Sequence, residues 1–262
     1  MTTTQTRTTG DPVLRLRGVA RVHGHGATRV HALRGVDLAV LPGEFVVVLG
    51  SDGAGKSTLL GLAGGLDRAC SGEVLFDGRE LGGLSRGALA VLRRGTIGYV
   101  FRDLDLLPAL TATENVSLPR DLGTLTEEQA RREALVALTE LGVGHLADRF
   151  PDQLSAGQRQ RVAVARALVG ERRLILADEP AGPIDPATGE AVLRVLRARC
   201  DAGAGAVMVT REPSRTHGAD LADWADRVIV LSDGQIVEER VLRARARAGG
   251  AALRVRAGAG HS

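Results

Sequence analysis

Four short runs of the chain are apolar at almost every position, and turn residues bound each of them. A strand that is apolar throughout is typical of a sheet covered on both faces. We therefore predict buried strands at 45–49, 174–177, 206–210 and 228–231. Residues 13–17 and 36–40 instead alternate apolar with charged or small residues, which predicts strands with one exposed face, the first of them at a sheet edge.

Helices are predicted where the apolar period lengthens. One helix is expected at 57–66, and Thr126 with Gln129 makes a capping-box pattern ahead of a second helix. The apolar stripe of that second helix consists of Leu135, Leu138 and Leu141. Residues 111–151 thus predict a helical insertion, and the whole pattern indicates an α/β fold whose mixed sheet is accompanied by a small antiparallel region.

The nine residues GSDGAGKST, 50–58, lie between the first fully apolar run and the first helix. This G-x-x-x-x-G-K-[ST] spacing between strand and helix is typical of a loop whose backbone N–H groups surround phosphate oxygens. We predict that Lys56 reaches the β- and γ-phosphates and that the Ser57 hydroxyl ligates Mg²⁺. The predicted nucleotide-binding residues here are Gly50, Ser51, Asp52, Gly53, Ala54, Gly55, Lys56, Ser57 and Thr58.

The composition strengthens the assignment of this loop. The chain has 34 basic residues, and Lys56 is the single lysine among them. An ammonium group on a thin stem fits inside a loop wrapped around phosphate, whereas a guanidinium fork needs more space. A lysine retained only here indicates that the loop binds phosphate.

A second pair of chemical residues follows the buried strand at 174–177. Asp178 and Glu179 stand at its carboxyl end, the edge where open α/β sheets bind ligands. We predict that Asp178 holds Mg²⁺ and that Glu179 polarises the attacking water as general base. Two acids at a strand end can also cap the next element, but their pairing with a phosphate loop favours the catalytic interpretation.

A third motif, LSAGQ, precedes the arginine-rich helix before this strand. A serine hydroxyl, an exposed glycine backbone and a helix N-terminus together form a second anion-binding surface. Two phosphate-binding surfaces in one chain indicate a dimer that buries nucleotide between its subunits. The residues are Leu154, Ser155, Ala156, Gly157 and Gln158.

Taken together, these motifs resemble those of the ATP-binding subunits of ABC transporters. The resemblance extends from about Val13 to Glu239: GSDGAGKST is similar to Walker A, LSAGQ to the signature motif, LILADEP to Walker B and Asp185 to the D-loop aspartate. The segments VHALRGVDLAVLPGEF and TIGYVFRDLDLLPALTATENVSLP are similar to the lipoprotein-releasing and macrolide-exporter type.

The resemblance implies a fold, cofactors and partners. The fold is a P-loop NTPase of ABC type, with a mixed core sheet, an antiparallel β subdomain and an inserted helical subdomain. The implied ligands are ATP and Mg²⁺, bound in a homodimer or heterodimer. An integral membrane permease would contact the leucine-rich segment after Arg102, which places the subunit in the cytoplasm, peripheral on the inner face of the membrane. We expect export or lipoprotein release, and no nucleic-acid partner.

Several positions depart from the family pattern near the γ-phosphate. Arg102 stands where the Q-loop glutamine is expected, and Arg211 stands where the switch histidine is expected. His23 replaces the usual tyrosine that stacks on adenine. Asp52 adds a carboxylate beside the phosphates, which should weaken binding unless an arginine neutralises it. Arginine has no acceptor and cannot ligate a cation, so Arg102 does not reproduce the role of glutamine.

These departures leave three interpretations open. The chain is a transport ATPase of reduced rate, or a degenerate regulatory subunit that binds ATP and hydrolyses little. The third is a soluble ABC-type ATPase acting on DNA or ribosomes. Such proteins usually carry two nucleotide domains or a long coiled coil, and 262 residues leave room for neither.

The basic character of the chain is concentrated at its end. Six arginines and no acid follow Glu239, so the preceding part carries 28 basic and 31 acidic residues.

We expect a disordered N-terminus at 1–10, an ATP-binding domain at 11–240 with its helical insertion at about 103–165, and a disordered basic tail at 241–262. There is no apolar stretch of the ~18 residues that span a bilayer and no leader-like N-terminus, and the two distant cysteines fit a reducing compartment.

Overall fold

A computed structural model describes residues 10–123, 125–180, 186–211 and 223–242. The strands are β1 (Leu14–His23), β2 (Val30–Val40), β3 (Phe45–Leu49), β4 (Ser71–Phe76), β5 (Arg79–Glu80), β6 (Ile97–Val100), β7 (Leu174–Asp178), β8 (Gly205–Thr210), β9 (Arg227–Ser232) and β10 (Gln235–Val241). The helices are α1 (Lys56–Ala63), α2 (Arg86–Thr96), α3 (Ala112–Asp121), α4 (Glu127–Glu140), α5 (Ala156–Leu168) and α6 (Pro186–Asp201). No helix within the described ranges is long and apolar enough to cross a membrane.

The larger sheet has six strands in the order β10-β9-β3-β8-β7-β6. Neighbouring strands are parallel except β10, which pairs antiparallel with β9. All four predicted strands belong to this sheet, as β3, β7, β8 and β9. The first three are buried along almost their whole length, whereas Val228 and Val230 of β9 are only partly buried. Leu49 is in register with Thr210, and Asp178 with Val209, so the segments that follow β3, β7 and β8 leave the sheet at one edge.

Side chains of β3 alternate between two cores, one on each face of this sheet. Phe45, Val47 and Leu49 pack with α3 to α6. Val46 and Val48 pack with α1 and with the smaller sheet. Because successive side chains of a strand point to opposite faces, burial on both sides demands an apolar residue at every position.

The smaller sheet is antiparallel, with the order β2-β1-β4-β5. The prediction that residues 13–17 form an edge strand is wrong, because β1 pairs with β2 on one side and β4 on the other. Alternating polarity indicates that one face of a strand is exposed, and it does not indicate whether the strand has a neighbour on each side. Asp77 and Gly78 have φ of +49° and +78°, so they form the tight turn that joins β4 to β5.

Three helices occupy much of the region predicted as a helical insertion, and each begins with a capping box. The Thr126–Gln129 pair caps α4 as predicted, and Ser155–Gln158 caps α5. Thr111–Glu114 caps α3, which the sequence pattern did not separate from the preceding leucine-rich loop because Pro119 lies inside it. A proline is expected to end a helix, but this one falls near the C-terminal end of α3.

A buried ion pair joins α6 to the amino end of β3. Arg197 donates to Asp226 Oδ2 over 2.8 Å and to the carbonyl oxygen of Gly43 over 2.9 Å, and the Asp226 carboxylate also accepts the backbone N–H of Phe45 over 2.8 Å. The side chains of Arg197 and Asp226 are only 8% and 5% exposed. Desolvation lowers the pKa of Arg197, but the hydrogen bond to Asp226 and the charges around the guanidinium together outweigh it, so the pKa is raised. This pair fixes where the central strand begins.

We expect Arg197→Ala to lower the free energy of unfolding by about 3–5 kcal/mol, because it leaves a buried carboxylate without its cation. Urea denaturation of the full chain measures this. Arg194→Ala is the control, since Arg194 lies on the same helix in an exposed pair with Glu190 and should cost below about 1 kcal/mol. Equal losses in the two variants would contradict a special role for the buried pair.

Candidate functional site

The residues predicted to bind phosphate form the loop between β3 and α1 together with the first turn of α1. A Cβ added to Gly50 would lie 2.6 Å from the carbonyl oxygen of Leu231. Gly55 has φ of +104°, and a Cβ there would lie 2.3 Å from the carbonyl oxygen of Ala32. Both clashes are with backbone, so no side chain fits either position. Glycine is therefore required by the loop geometry itself at both ends of the motif.

Lys56, the first residue of α1, turns back into this loop. Its ammonium donates to the carbonyl oxygens of Gly50 over 2.7 Å and Ser51 over 2.9 Å, and the residue is 7% exposed. Burial lowers the pKa of Lys56, while the carboxylates of Glu179 and Asp52 act in the opposite direction. The loop thus folds around one buried positive charge, which two backbone carbonyl oxygens hold in place.

Ser57 and Asp178 meet beside the loop. Asp178 is the last residue of β7 and 7% exposed, and its carboxylate accepts a hydrogen bond from the Ser57 hydroxyl. Burial raises the pKa of Asp178, and the bond from Ser57 opposes this shift. Mg²⁺ prefers hard oxygen ligands and usually takes one or two from the protein and others from phosphates and water. A hydroxyl and a buried carboxylate in contact fit that ion.

Glu179 follows Asp178 with φ of +47°, an uncommon backbone conformation for a residue other than glycine. Its N–H donates to the carbonyl oxygen of Val209 over 3.0 Å, which keeps the residue at the sheet edge. Its carboxylate is 10% exposed. Arg211 contacts both oxygens, Nε to Oε1 at 3.0 Å and Nη2 to Oε2 at 3.3 Å. A water molecule oriented by Glu179 must therefore compete with Arg211.

The remaining departures from the family pattern join the same cluster. Arg102 Nε lies 3.8 Å from Oε2 of Glu179, and Arg211 Nη1 lies 3.2 Å from Oδ2 of Asp52. Glu179, followed by Asp52, raises the pKa of Arg211. Arg211 is thus an arginine placed to neutralise Asp52, the condition under which that carboxylate need not weaken phosphate binding. Both unexpected arginines face the predicted general base.

His23 ends β1 close to the first turn of α1. Its Nε2 lies 3.1 Å from the hydroxyl oxygen of Thr58. The ring therefore lies next to the first turn of α1, beside the phosphate loop.

The LSAGQ motif lies at the start of α5. The Gln158 side chain accepts the Ser155 N–H over 2.8 Å, while Ser155 Oγ accepts the Gln158 N–H over 3.3 Å. Leu154 is buried, and Ser155 and Ala156 are exposed. Among the described residues, no hydrogen bond or ion pair joins residues 154–158 to the phosphate loop. Within the described part of one subunit, the two predicted anion-binding surfaces are therefore not joined to each other by such contacts.

Gln160 connects α5 to the catalytic edge, and the sequence interpretation missed it. Its Nε2 donates to the carbonyl oxygen of Pro180 over 2.6 Å, and the side chain is buried. Pro180 immediately follows Glu179. The only indication in the sequence was a glutamine two residues after the motif. The structure shows that this glutamine is buried, and a buried amide needs a hydrogen-bond partner.

The leucine-rich segment after Arg102 is held by two helices. The Asn115 side chain of α3 accepts the Leu107 N–H and donates to the carbonyl oxygens of Leu107 and Leu110. Arg166 of α5 donates to the carbonyl oxygens of Leu104 and Asp105, over 2.7 and 2.6 Å. Leu107 itself remains 44% exposed. The segment is thus an ordered loop with an apolar surface.

Two predictions lie outside the described residues. They concern the D-loop residue Asp185 and the basic tail beyond 242.

Comparison with known proteins agrees with this geometry. The family model described as "ABC transporter" matches residues 33–182. The lipoprotein-releasing system ATP-binding protein LolD 2 of Caulobacter vibrioides is 44% identical over 232 residues, which cover 88% of this chain and 99% of the relative. The macrolide export ATP-binding/permease protein MacB 1/2 of Paracoccus denitrificans is 43% identical over 88% of this chain, which spans only 34% of that longer relative.

A solved structure matches the fold as well. It is a dimeric structure of a post-hydrolysis state of the ATP-binding cassette MJ0796 bound to ADP and Pi. The TM-score is 0.81 and the identity 37%, over 88% of this chain and all of that one. The α/β fold with its mixed and antiparallel sheets is thus that of an ABC ATPase. The chain belongs to the ABC transporter family, as an ATP-binding subunit.

Proposed function

We propose that this subunit binds MgATP between two copies of the ATP-binding fold and couples ATP binding and hydrolysis to a separate membrane permease. Lys56 would contact the β- and γ-phosphates, Ser57 and Asp178 would hold Mg²⁺, and His23 would contact the base. Bound Mg²⁺ would neutralise phosphate charge. Glu179 would then orient the attacking water.

One observation carries this proposal. The carboxyl ends of β3, β7 and β8 bring the phosphate loop, the Ser57–Asp178 pair and Glu179 to one edge, and each pair of strands is held in register by backbone hydrogen bonds. These are the parts that phosphoryl transfer to water requires: a phosphate cradle, a cation site and a base.

A dimer supplies the part that one subunit lacks. Ser155 and Ala156 are exposed at the start of α5, so they are available to the nucleotide of a second subunit. A helix N-terminus with exposed backbone N–H groups attracts phosphate. The dimeric cassette with 37% identity supports the same arrangement here.

The proposal that a membrane permease is the partner rests on the relatives and on the exposed apolar surface of the segment after Arg102. LolD 2 is named as part of a lipoprotein-releasing system, and MacB 1/2 as a macrolide export protein with a permease part. We infer a subunit on the inner face of the membrane that serves export or lipoprotein release. The exposed Leu107 in its anchored loop would contact the permease.

A second candidate function is favoured by the two arginines on Glu179. Arg211 occupies both oxygens of that carboxylate, and Arg102 stands close by. If this pairing persists with ATP bound, the subunit binds nucleotide as a dimerisation ligand and hydrolyses it very slowly.

Steady-state hydrolysis of MgATP by the purified chain tests the proposed function. We expect turnover that Glu179→Gln lowers by about 10²-fold, because a general base contributes at least this much. Glu190→Gln, on the exposed face of α6, is the control and should retain the rate. Tight ATP binding with equal turnover in wild type and Glu179→Gln would instead establish the second candidate.

Replacing both arginines tests whether they restrain the chemistry. Arg102→Gln with Arg211→His should raise turnover at saturating ATP by on the order of 10²-fold, since a water-orienting acceptor is restored at position 102. The control removes two exposed arginines elsewhere, through Arg131→Gln with Arg194→His. No increase above wild type would show that the arginines are harmless.

Asp178→Asn separates the effect of the buried carboxylate on stability from its proposed role as a Mg²⁺ ligand. Because folding raises the pKa of Asp178, its stabilising contribution belongs to the protonated form and is lost as pH rises through the folded-state pKa. At pH 7 without nucleotide, we therefore expect Asp178→Asn to melt at or above the wild-type temperature, with the difference shrinking on acidification.

Adding MgATP should raise the melting temperature of wild type well above that of Asp178→Asn, because the variant has lost a proposed Mg²⁺ ligand. The exposed Asp148→Asn should behave as wild type in both conditions. A lower melting temperature for Asp178→Asn at pH 7 without nucleotide would mean that the carboxylate is a net stabiliser of the fold.

A further inference from the structure

Four charged side chains form a continuous row across the mouth of the phosphate loop, in the order Asp52, Arg211, Glu179, Arg102. Their separations are 3.2 Å, 3.0 Å and 3.8 Å. Arg211 lies at the centre, with its Nη1 on one carboxylate and its Nε and Nη2 on the other. A guanidinium presents its donors in a fixed planar fork, so Arg211 holds a carboxylate on each side of itself.

The two ends of the Arg211 fork belong to different parts of the site. Asp52 is in the phosphate loop and its side chain is 70% exposed, whereas Glu179 follows β7 and is 10% exposed. Arg211 follows β8, whose last residue Thr210 accepts the N–H of Gly50 at the start of the loop. The arginine thus connects the nucleotide-binding loop to the general base.

A terminal phosphate would compete directly with both carboxylates for this arginine. It carries more negative charge than either and offers several oxygens to the guanidinium fork, which recognises phosphate as well as carboxylate. The γ-phosphate of ATP belongs between Lys56 and Glu179 in the proposed function. ADP ends one phosphate earlier and lacks the competing group.

We propose that Asp52 is a positioning residue that holds Arg211 on Glu179 until a γ-phosphate replaces both carboxylates. This inference rests on the proposed function and deepens it. The row is a latch: while it is closed, Arg211 occupies the oxygens with which Glu179 orients water. ATP opens the latch by drawing Arg211 onto its terminal phosphate, and ADP leaves it closed.

The latch makes Asp52 a determinant of ATP-over-ADP selectivity. Asp52 stabilises the closed row that ATP must open, so removing its charge should favour ATP in particular. An acid that only repels phosphates would weaken the binding of both nucleotides alike. The distinction therefore lies in the ratio of the two affinities, and in whether that ratio depends on Arg211.

A double-mutant cycle on the full chain tests this coupling. The affinity of MgADP, and that of a non-hydrolysable MgATP analogue that keeps the γ-phosphate, are measured by calorimetric titration for wild type, Asp52→Asn, Arg211→Gln and the double variant. Glu179 is intact in every variant, because the closed row includes its carboxylate. Thermal melting verifies that each variant is folded. Asp52→Ser serves as a second replacement, and Asp148→Asn is the matched exposed control.

We expect Asp52→Asn to tighten ATP binding about fivefold, the scale of an exposed charge pair, and to change ADP binding by less than about twofold. With Arg211→Gln present, the ATP-specific effect of Asp52→Asn should vanish. Equal shifts for ATP and ADP, or an ATP-specific shift that persists without Arg211, would overturn the latch. A folded wild-type chain that binds neither nucleotide would overturn the proposed function, and the latch with it.

Discussion

The complete burial of β3 is the constraint on which the rest of the molecule depends. Its five residues are all apolar, and they divide between two cores, so a shift of one residue would exchange the two sets of side chains. At the amino end, the Phe45 N–H is bonded to Asp226, and at the carboxyl end the Gly50 N–H is bonded to Thr210. The phosphate loop therefore starts from a fixed point. Its closeness to Leu231 and Ala32 then leaves glycine as the only residue that fits at both ends.

Charge balance at the sheet edge follows from that fixed geometry. Three cations, Lys56, Arg102 and Arg211, stand beside three acids, which are Asp52, Asp178 and Glu179. Burial opposes ionisation of Lys56 and Asp178, so each is stabilised chiefly by the other charges and hydrogen bonds around it. A polyanion that enters this cluster must exchange partners with the carboxylates. Without nucleotide, the charges of the site neutralise one another. Binding of a polyanion therefore changes which charges are paired.

The sequence pattern predicted the parts of this structure that short-range physics determines. Continuous apolar runs predicted β3, β7, β8 and β9, and in the first three the reason is that the strand is covered on both faces. Prediction failed where the local pattern was short or broken: Pro119 lies within α3, and the apolar face of α2 consists of little more than Leu89 and the partly buried Leu92. The helix α6 was missed although Val192, Leu193 and Leu196 repeat at helical spacing. The contact of Arg211 with Asp52 joins residues 159 positions apart and depends on side-chain reach, which no sequence pattern contains.

That long-range contact decides how the unusual residues of the site should be interpreted. In a chain with one lysine, arginine at positions 102 and 211 is what the general composition would produce, and alone it would carry little information. The same composition does not explain an acid in the phosphate loop. Asp52 would repel the phosphates that the loop exists to bind, unless a cation is held beside it, and Arg211 is that cation at 3.2 Å. In the closed row each of the two departures neutralises the charge of the other, so they act as one pair whose charges meet beside the general base.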